Sequence, residues 1–199
     1  MKFSPRMKDI NDFLLTSNVT VGQTRKWMTN KDDDAKSKLI ELVRHRFYNR
    51  YLKHIECIDS GFLMMAVSCL MIETIESFRQ GLRDTSGRGV GLQMFKDFFE
   101  VEQMLFPGFN SISKYFYANI RCGILHQAET TNAWRILRDD SPILNKDERT
   151  INSKKFVNAL GGALDNYIEQ LKANDFNSAI WKNVLLKLDD ICENCNIQN

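Results

Sequence analysis

Only 3 prolines occur among 199 residues, about 1.5% where soluble proteins average ~5%. That scarcity constrains the fold more than any motif does. Proline is the residue that most reliably stops a helix, and glycine, the other common turn-maker, occurs only 10 times. A chain with so few interruptions should build a few long helices rather than many short strands. Apolar residues make up 43% and charged residues 26%, the balance of a globular domain with a real core. The formal charge is +2, so no global field demands a nucleic-acid or membrane partner, and any such contact needs a local patch.

The segment 5–17 reads as a short amphipathic helix, with Ser4 as its cap and Pro5 at the first helical position. The stretch 18–34 is polar and reads as a loop. It ends in Asp32, Asp33 and Asp34, placed where a helix N-terminus favours negative charge. From 35 to 58 a long helix is expected. Ile40, Val43, Phe47, Tyr51, Ile55 and Ile58 recur at three- and four-residue steps and define its buried stripe. Arg46, Arg50 and Lys53 run beside it, either as a phosphate-contacting track or as a solvated face. Gly61 opens a helix to about 78 whose first half, 62–72, is apolar all round, so it belongs in the middle of a bundle. That run is about half the ~20 residues of a membrane span. Glu73 and Glu76 follow on one side of this helix, suited to acid–base work or to pairing with an arginine.

Residues 81–91 form a linker with glycines at 87, 89 and 91 but without the Lys-Ser/Thr of a phosphate loop. A helix over 92–105 turns Met94, Phe95, Phe98 and Phe99 inward and is broken by Pro107 and Gly108. A further helix spans 111–127. Short extended runs at 134–137, 142–144 and 149–151 read as a small β-hairpin, and two last helices cover 153–173 and 177–194. The expectation is one all-α domain over 1–199, with 1–34 an extension and loop and 35–199 a bundle of six or seven helices. The hairpin is inserted near 134–151. Cys192 and Cys195 form a lone C-x-x-C pair, too little for structural zinc. Five cysteines without framework spacing suit reduced thiols. No secretory leader pattern is visible, and the expected location is the cytoplasm. No metal or cofactor is expected.

Helix 111–127 carries Arg121, four intervening residues and His126. His126 falls in line with Tyr115, Asn119 and Cys122, a polar stripe, while Phe116, Ile120 and Ile124 form the core stripe. Here the sequence resembles the HEPN family, whose signature is an arginine, four to six residues and a histidine near the end of a late bundle helix. Cys122 departs from the Asn, Asp or His that often follows that arginine in nuclease members. The resemblance implies a helical bundle and metal-independent RNA cleavage, with Arg121 and His126 as catalytic residues, as in toxins and antiviral effectors. It implies RNA or a nucleotide as ligand, with Asn119 and Tyr115 as contacts and Arg46, Arg50 and Lys53 as a flanking track. A homodimer is implied too, and a separately encoded antitoxin or partner enzyme is a further candidate. The alternative within the same fold is a non-catalytic nucleotide- or partner-binding module. A third reading has Arg121 pairing with a bundle glutamate such as Glu73 and His126 on the surface.

The two residues suit those tasks chemically. Histidine titrates near neutrality and can take the 2′-hydroxyl proton; arginine keeps its charge and offers a planar fork to phosphate oxygens. Five positions on an α-helix, however, turn ~500°, leaving the side chains ~140° apart and ~7.5 Å along the axis. Arginine's reach, a loosened turn at Gly123, or a second subunit could close that gap.

Overall fold

The computed structural model describes residues 9–195, and it is an all-α bundle with a small β insertion. Helix α1 is Val21–Asn30. Helix α2 runs over 33–55 without a break, as Asp33–Arg44, a π-helical stretch His45–Leu52, and Lys53–Ile55. Then come α3 (Gly61–Gln80) and α4 (Val90–Val101). Helix α5 covers 113–127, again with a π-helical middle: Ser113–Tyr115, Phe116–Arg121 and Cys122–Gln127. Strands β1 (Arg135–Leu137), β2 (Leu144–Asn145) and β3 (Thr150–Asn152) follow, and α6 (Ser153–Ala173) and α7 (Ala179–Glu193) close the bundle.

Helix α3 is the axis, as its all-round apolar sequence predicts, packing on α4, α6 and α7. By length and composition it could cross a membrane, yet 56% of its most apolar window is buried inside the bundle, the placement of a core helix. Ser60 caps its start by accepting from the Leu63 N–H, and Gly81, at φ 67°, ends it. Asp32 accepts from the Ala35 N–H at 2.7 Å, so the acidic run caps α2.

Two expectations need correction. The stretch 18–34 is not a loop, because α1 occupies most of it. Its start is a capping box in which Thr20 and Gln23 exchange bonds of 3.2 and 2.8 Å, and its Val21 is fully buried. The N-terminal helix is not formed over 9–17, where a short 3-10 turn (Ile10–Asp12) leads into a bridge pairing Leu14 with Thr20; Ser4 and Pro5 lie outside the described residues. The small β insertion forms where it is expected, with β2 and β3 as its antiparallel hairpin, and β1 adds a third strand parallel to β3 in the order β1-β3-β2. Asn152 anchors the connection: its Nδ2 donates to the Asp139 carbonyl at 2.7 Å, while its Oδ1 caps α6 through the Lys155 N–H. One side chain thus ties the 138–141 turn to a helix start.

A buried charge cluster joins α3, α4 and α6. Arg79 pairs with Glu76 at 2.7 Å and with Glu102, and Asn166 donates to Glu102 at 3.0 Å. The guanidinium lies against the Phe98 and Tyr167 rings. Burial, with a smaller push from the Asp97 charge, leaves Glu76 with a raised pKa, against which Arg79 and the Gln80 hydrogen bond pull down. Removing one partner of a buried ion pair strands the others, so Arg79→Ala should cost about 3–5 kcal/mol in urea denaturation. A carboxyl raised above its ordinary 4.5 stabilises the fold below that pH and loses the contribution as pH rises through its folded value. Glu76→Gln should therefore lose less stability than wild type as pH is raised from 4.5 toward neutrality, which melting curves across that window will check.

Candidate functional site

Arg121 closes the π-helical part of α5, where backbone bonds run five residues back: the Cys122 N–H donates to the Tyr117 carbonyl. This widened turn sets which residues share a face. It brings Cys122 beside Tyr117 and Arg121, with Arg121 Nη1 4.0 Å from the Cys122 sulfur. The expected polar stripe Tyr115–Asn119–Cys122–His126 assumed a uniform α-helix, so the π-turn breaks it between Asn119 and Cys122. Phe116 and Ile120 do face the core, as expected.

The Arg121 side chain is 20% exposed, and its Nε donates to Glu73 Oε1 of α3 at 2.7 Å. Its guanidinium lies over the Tyr117 ring, 5.3 Å from the centroid. Burial works to lower its pKa, but the Glu73 bond and charge outweigh that, and the net shift is upward. The cation is fixed and permanent. Burial pushes the Tyr117 hydroxyl up, and the Cys69 thiol, wholly buried beneath the pair, is also held protonated. Arg121 and Glu73 line a cleft of about 500 Å3 with apolar walls from Val67, Leu70 and Leu125. A second cation, Lys187 of α7, stands on the same cleft, its pKa lowered by burial. Glu73 was legible from its spacing. Tyr117 carried a signal in its position four residues before Arg121, but Lys187 carried none.

His126 is exposed on the last turn of α5, outside that cleft, and makes no hydrogen bond to any described residue. Its turn is regular α-helix ended by Ala128 at φ 56°, so Gly123 does not loosen it. Gly123 has another role: a Cβ there would lie 2.5 Å from the Glu129 carbonyl oxygen. The chain doubles back across α5 at this point, and the Thr131 N–H donates to the Asn119 carbonyl at 3.0 Å. Within one protomer Arg121 and His126 are not brought together.

Asn119 and Tyr115 are brought together, at a different pocket. Asn119 is 4% exposed, and its Oδ1 accepts from Thr131 Oγ1 at 2.8 Å and Asn132 Nδ2 at 2.6 Å. The basic track is dispersed. Arg46 is half-buried, with a pKa lowered by burial and by Arg50 and with Cys192 and Cys195 among its electrostatic neighbours. Arg50 donates to the Leu15 carbonyl, and Lys53 stands in solvent. None of the three lines the cleft of Arg121 or the pocket of Asn119. Among the described residues no group of three or more His, Cys, Asp or Glu could hold a metal ion. Burial raises the Cys192 thiol to about 11.

Comparisons with family models, with curated proteins and with solved structures each return no match to this chain.

The crossing at Gly123 gives a direct check on this geometry. Alanine would gain up to ~1 kcal/mol of helix propensity, but forcing a methyl against a backbone carbonyl costs about 1–3 kcal/mol. Gly123→Ala should therefore lower stability in denaturant, and the Thr131 amide should lose hydrogen-exchange protection.

Proposed function

We propose that this chain is a HEPN-type, metal-independent endoribonuclease of the cytoplasm, a toxin or antiviral effector that works as a homodimer. The observation that carries the reading is a fixed guanidinium at a cleft with an unengaged histidine at the end of the same helix. Arg121 spends its Nε on Glu73 and one Nη1 hydrogen on the Cys122 sulfur, leaving Nη2 and the second Nη1 hydrogen for phosphate oxygens, the bidentate recognition that arginine favours. Cleavage would then proceed without an external nucleophile. His126 takes the 2′-hydroxyl proton, the 2′-oxygen attacks phosphorus, and the bond to the 5′-oxygen breaks. A proton goes to that leaving oxygen, leaving a 2′,3′-cyclic phosphate and a 5′-hydroxyl, while Arg121 offsets the charge on the phosphorane.

The same geometry supports a second copy. Leu70 and Leu125 are 44% and 52% exposed and both wall the Arg121 cleft. Leu125 directly precedes His126, so a partner that covers these apolar walls meets the histidine too. A two-fold axis through this face would bring each His126 toward the other protomer's Arg121.

A second reading is favoured by the Glu73–Arg121 pair, which neutralises the cation, and by the apolar cleft walls: a non-catalytic module that binds a nucleotide or a partner protein there. The two readings separate on turnover. In chelator, wild type should cleave RNA to cyclic-phosphate ends, and Arg121→Ala and His126→Ala should each lose activity by about 100-fold or more. Mixing the two inactive chains should restore part of it, because a hybrid dimer keeps one intact shared site. Wild-type RNA cleavage left intact by His126→Ala removes the proposed mechanism. No turnover, with a saturable rise in melting temperature on adding nucleotide, favours the binding module.

A further inference from the structure

Positions 119 and 121 are two apart in the π-helical turn of α5, and their side chains leave it toward different pockets. Arg121 faces its cleft with α3. Asn119 instead lines a separate pocket of about 380 Å3, between α5 and the β insertion, within the ~300–1,000 Å3 range of small-molecule sites.

The chemistry of this second pocket is one-sided. Lys146 and Arg149, from the turn between β2 and β3, supply two cations, and no acidic side chain lines it. The nearby carboxylate of Glu148 is turned to Arg135, at 4.0 Å. Lys146 is held in place: its Nζ donates to Ser111 Oγ at 2.7 Å, and its stem passes Gly108 where a Cβ would come within 3.0 Å. Arg149 spends Nη1 on the Asn132 carbonyl at 2.7 Å, leaving its other guanidinium N–H groups free.

Two further donors have no partner. Asn119 Nδ2 and Trp134 Nε1 belong to residues only 4% and 7% exposed, yet neither donates to any described residue and neither is sealed from solvent. Both N–H groups are open to water at this pocket, so a ligand that accepts hydrogen bonds can take them without displacing a protein partner. Two aromatic residues frame the same space. Trp134 is a buried wall, and Tyr115, 59% exposed, offers a ring at the rim.

We propose that this pocket binds a nucleoside monophosphate group, free or as the terminal nucleotide of a strand. The phosphate sits between Lys146 and Arg149, and the base stacks on Tyr115. The site is distinct from the Arg121 cleft and does not depend on the nuclease reading.

Isothermal titration of the full chain with adenosine and uridine monophosphates, the matching nucleosides and inorganic phosphate tests it. Nucleotide binding should saturate, and nucleoside or inorganic phosphate should bind at least about tenfold more weakly, since each lacks one half of the recognition. The double variant Lys146→Ala, Arg149→Ala should weaken nucleotide binding by about tenfold or more, with a melting temperature near that of wild type. Tyr115→Ala should weaken it about fivefold or more and Tyr115→Phe should not, because stacking needs the ring alone. The Arg121→Ala chain should keep the component of nucleotide binding that the double variant removes, so failure of the Arg121 cleft and failure of this site are distinguishable. A 5′-phosphorylated trinucleotide that binds more tightly than the free nucleotide supports the proposal with a strand end as the source; weaker binding supports it with the free nucleotide. No saturable nucleotide binding, binding indifferent to the double variant, or inorganic phosphate binding as well as nucleotide overturns it.

Discussion

Phe99 of α4 holds the molecule together. Its ring contacts Phe95, Phe98, Phe106, Phe109, Phe116 and Phe156, with centroids 5.0 to 6.4 Å apart. Most of these pairs meet edge to face, the arrangement that ring quadrupoles favour. The cluster spans α4, the turn before α5, α5 itself and α6, and every ring in it is fully buried. Phe116 stacks on Phe156 with planes only 9° apart, so α5 is clamped against α6 at its π-helical start. The orientation of Arg121 and Asn119 is set by this clamp, because both lie within the turn that follows Phe116.

The clamp explains why α5 tolerates a π-helical middle. Such turns are rare in regular helices and recur at functional sites; here the packing of Phe116 and Ile120 fixes the two ends while the backbone between them widens. The result places Cys122 with Tyr117 and separates it from Asn119. A pattern of apolar residues cannot show this, because Phe116, Ile120 and Ile124 are spaced as an α-helix would space them. The second π-helical stretch, in α2, has the same consequence for Arg46, Arg50 and Lys53, whose even spacing in sequence does not become a continuous stripe in space.

The long helices were legible because their stripes are long and their stops are chemically plain, as at Asp32, Ser60, Gly81 and Asn152. Helix α1 was not, since it buries only Val21 and Thr24 and otherwise reads as polar; the Thr20–Gln23 capping box was the signal available. The strands and the β2–β3 hairpin were legible, but the pairing of β1 was not, because a parallel bridge between β1 and β3 leaves no local trace comparable to a hairpin turn. Of the candidate site residues, the Arg121–Glu73 pairing could be anticipated from residue types. The pocket that Asn119 lines could not, because its other walls, Asn132, Trp134, Lys146 and Arg149, come from the course of the chain after Ala128.

Helix α3 shows how the same pair of residue types serves structure at one place and offers chemistry at another. Glu73 and Glu76 are one turn apart, yet each takes a different arginine. Arg79 is shared by Glu76 and Glu102, lies under Phe98 and Tyr167, and has a side chain only 10% exposed. Its terminal nitrogens are consumed within the protein, and its Nε is shut away without a partner, so no ligand can reach it. Arg121 has one carboxylate partner, bound through Nε, and a side chain 20% exposed beside a 500 Å3 cleft. A buried ion pair is weak evidence of stability gain, since desolvation opposes the attraction. A half-buried pair that leaves terminal N–H groups facing a cleft costs less to desolvate and keeps its donors available. That difference in partner count, more than the pairing itself, separates a cation that builds the bundle from one that can meet a phosphate.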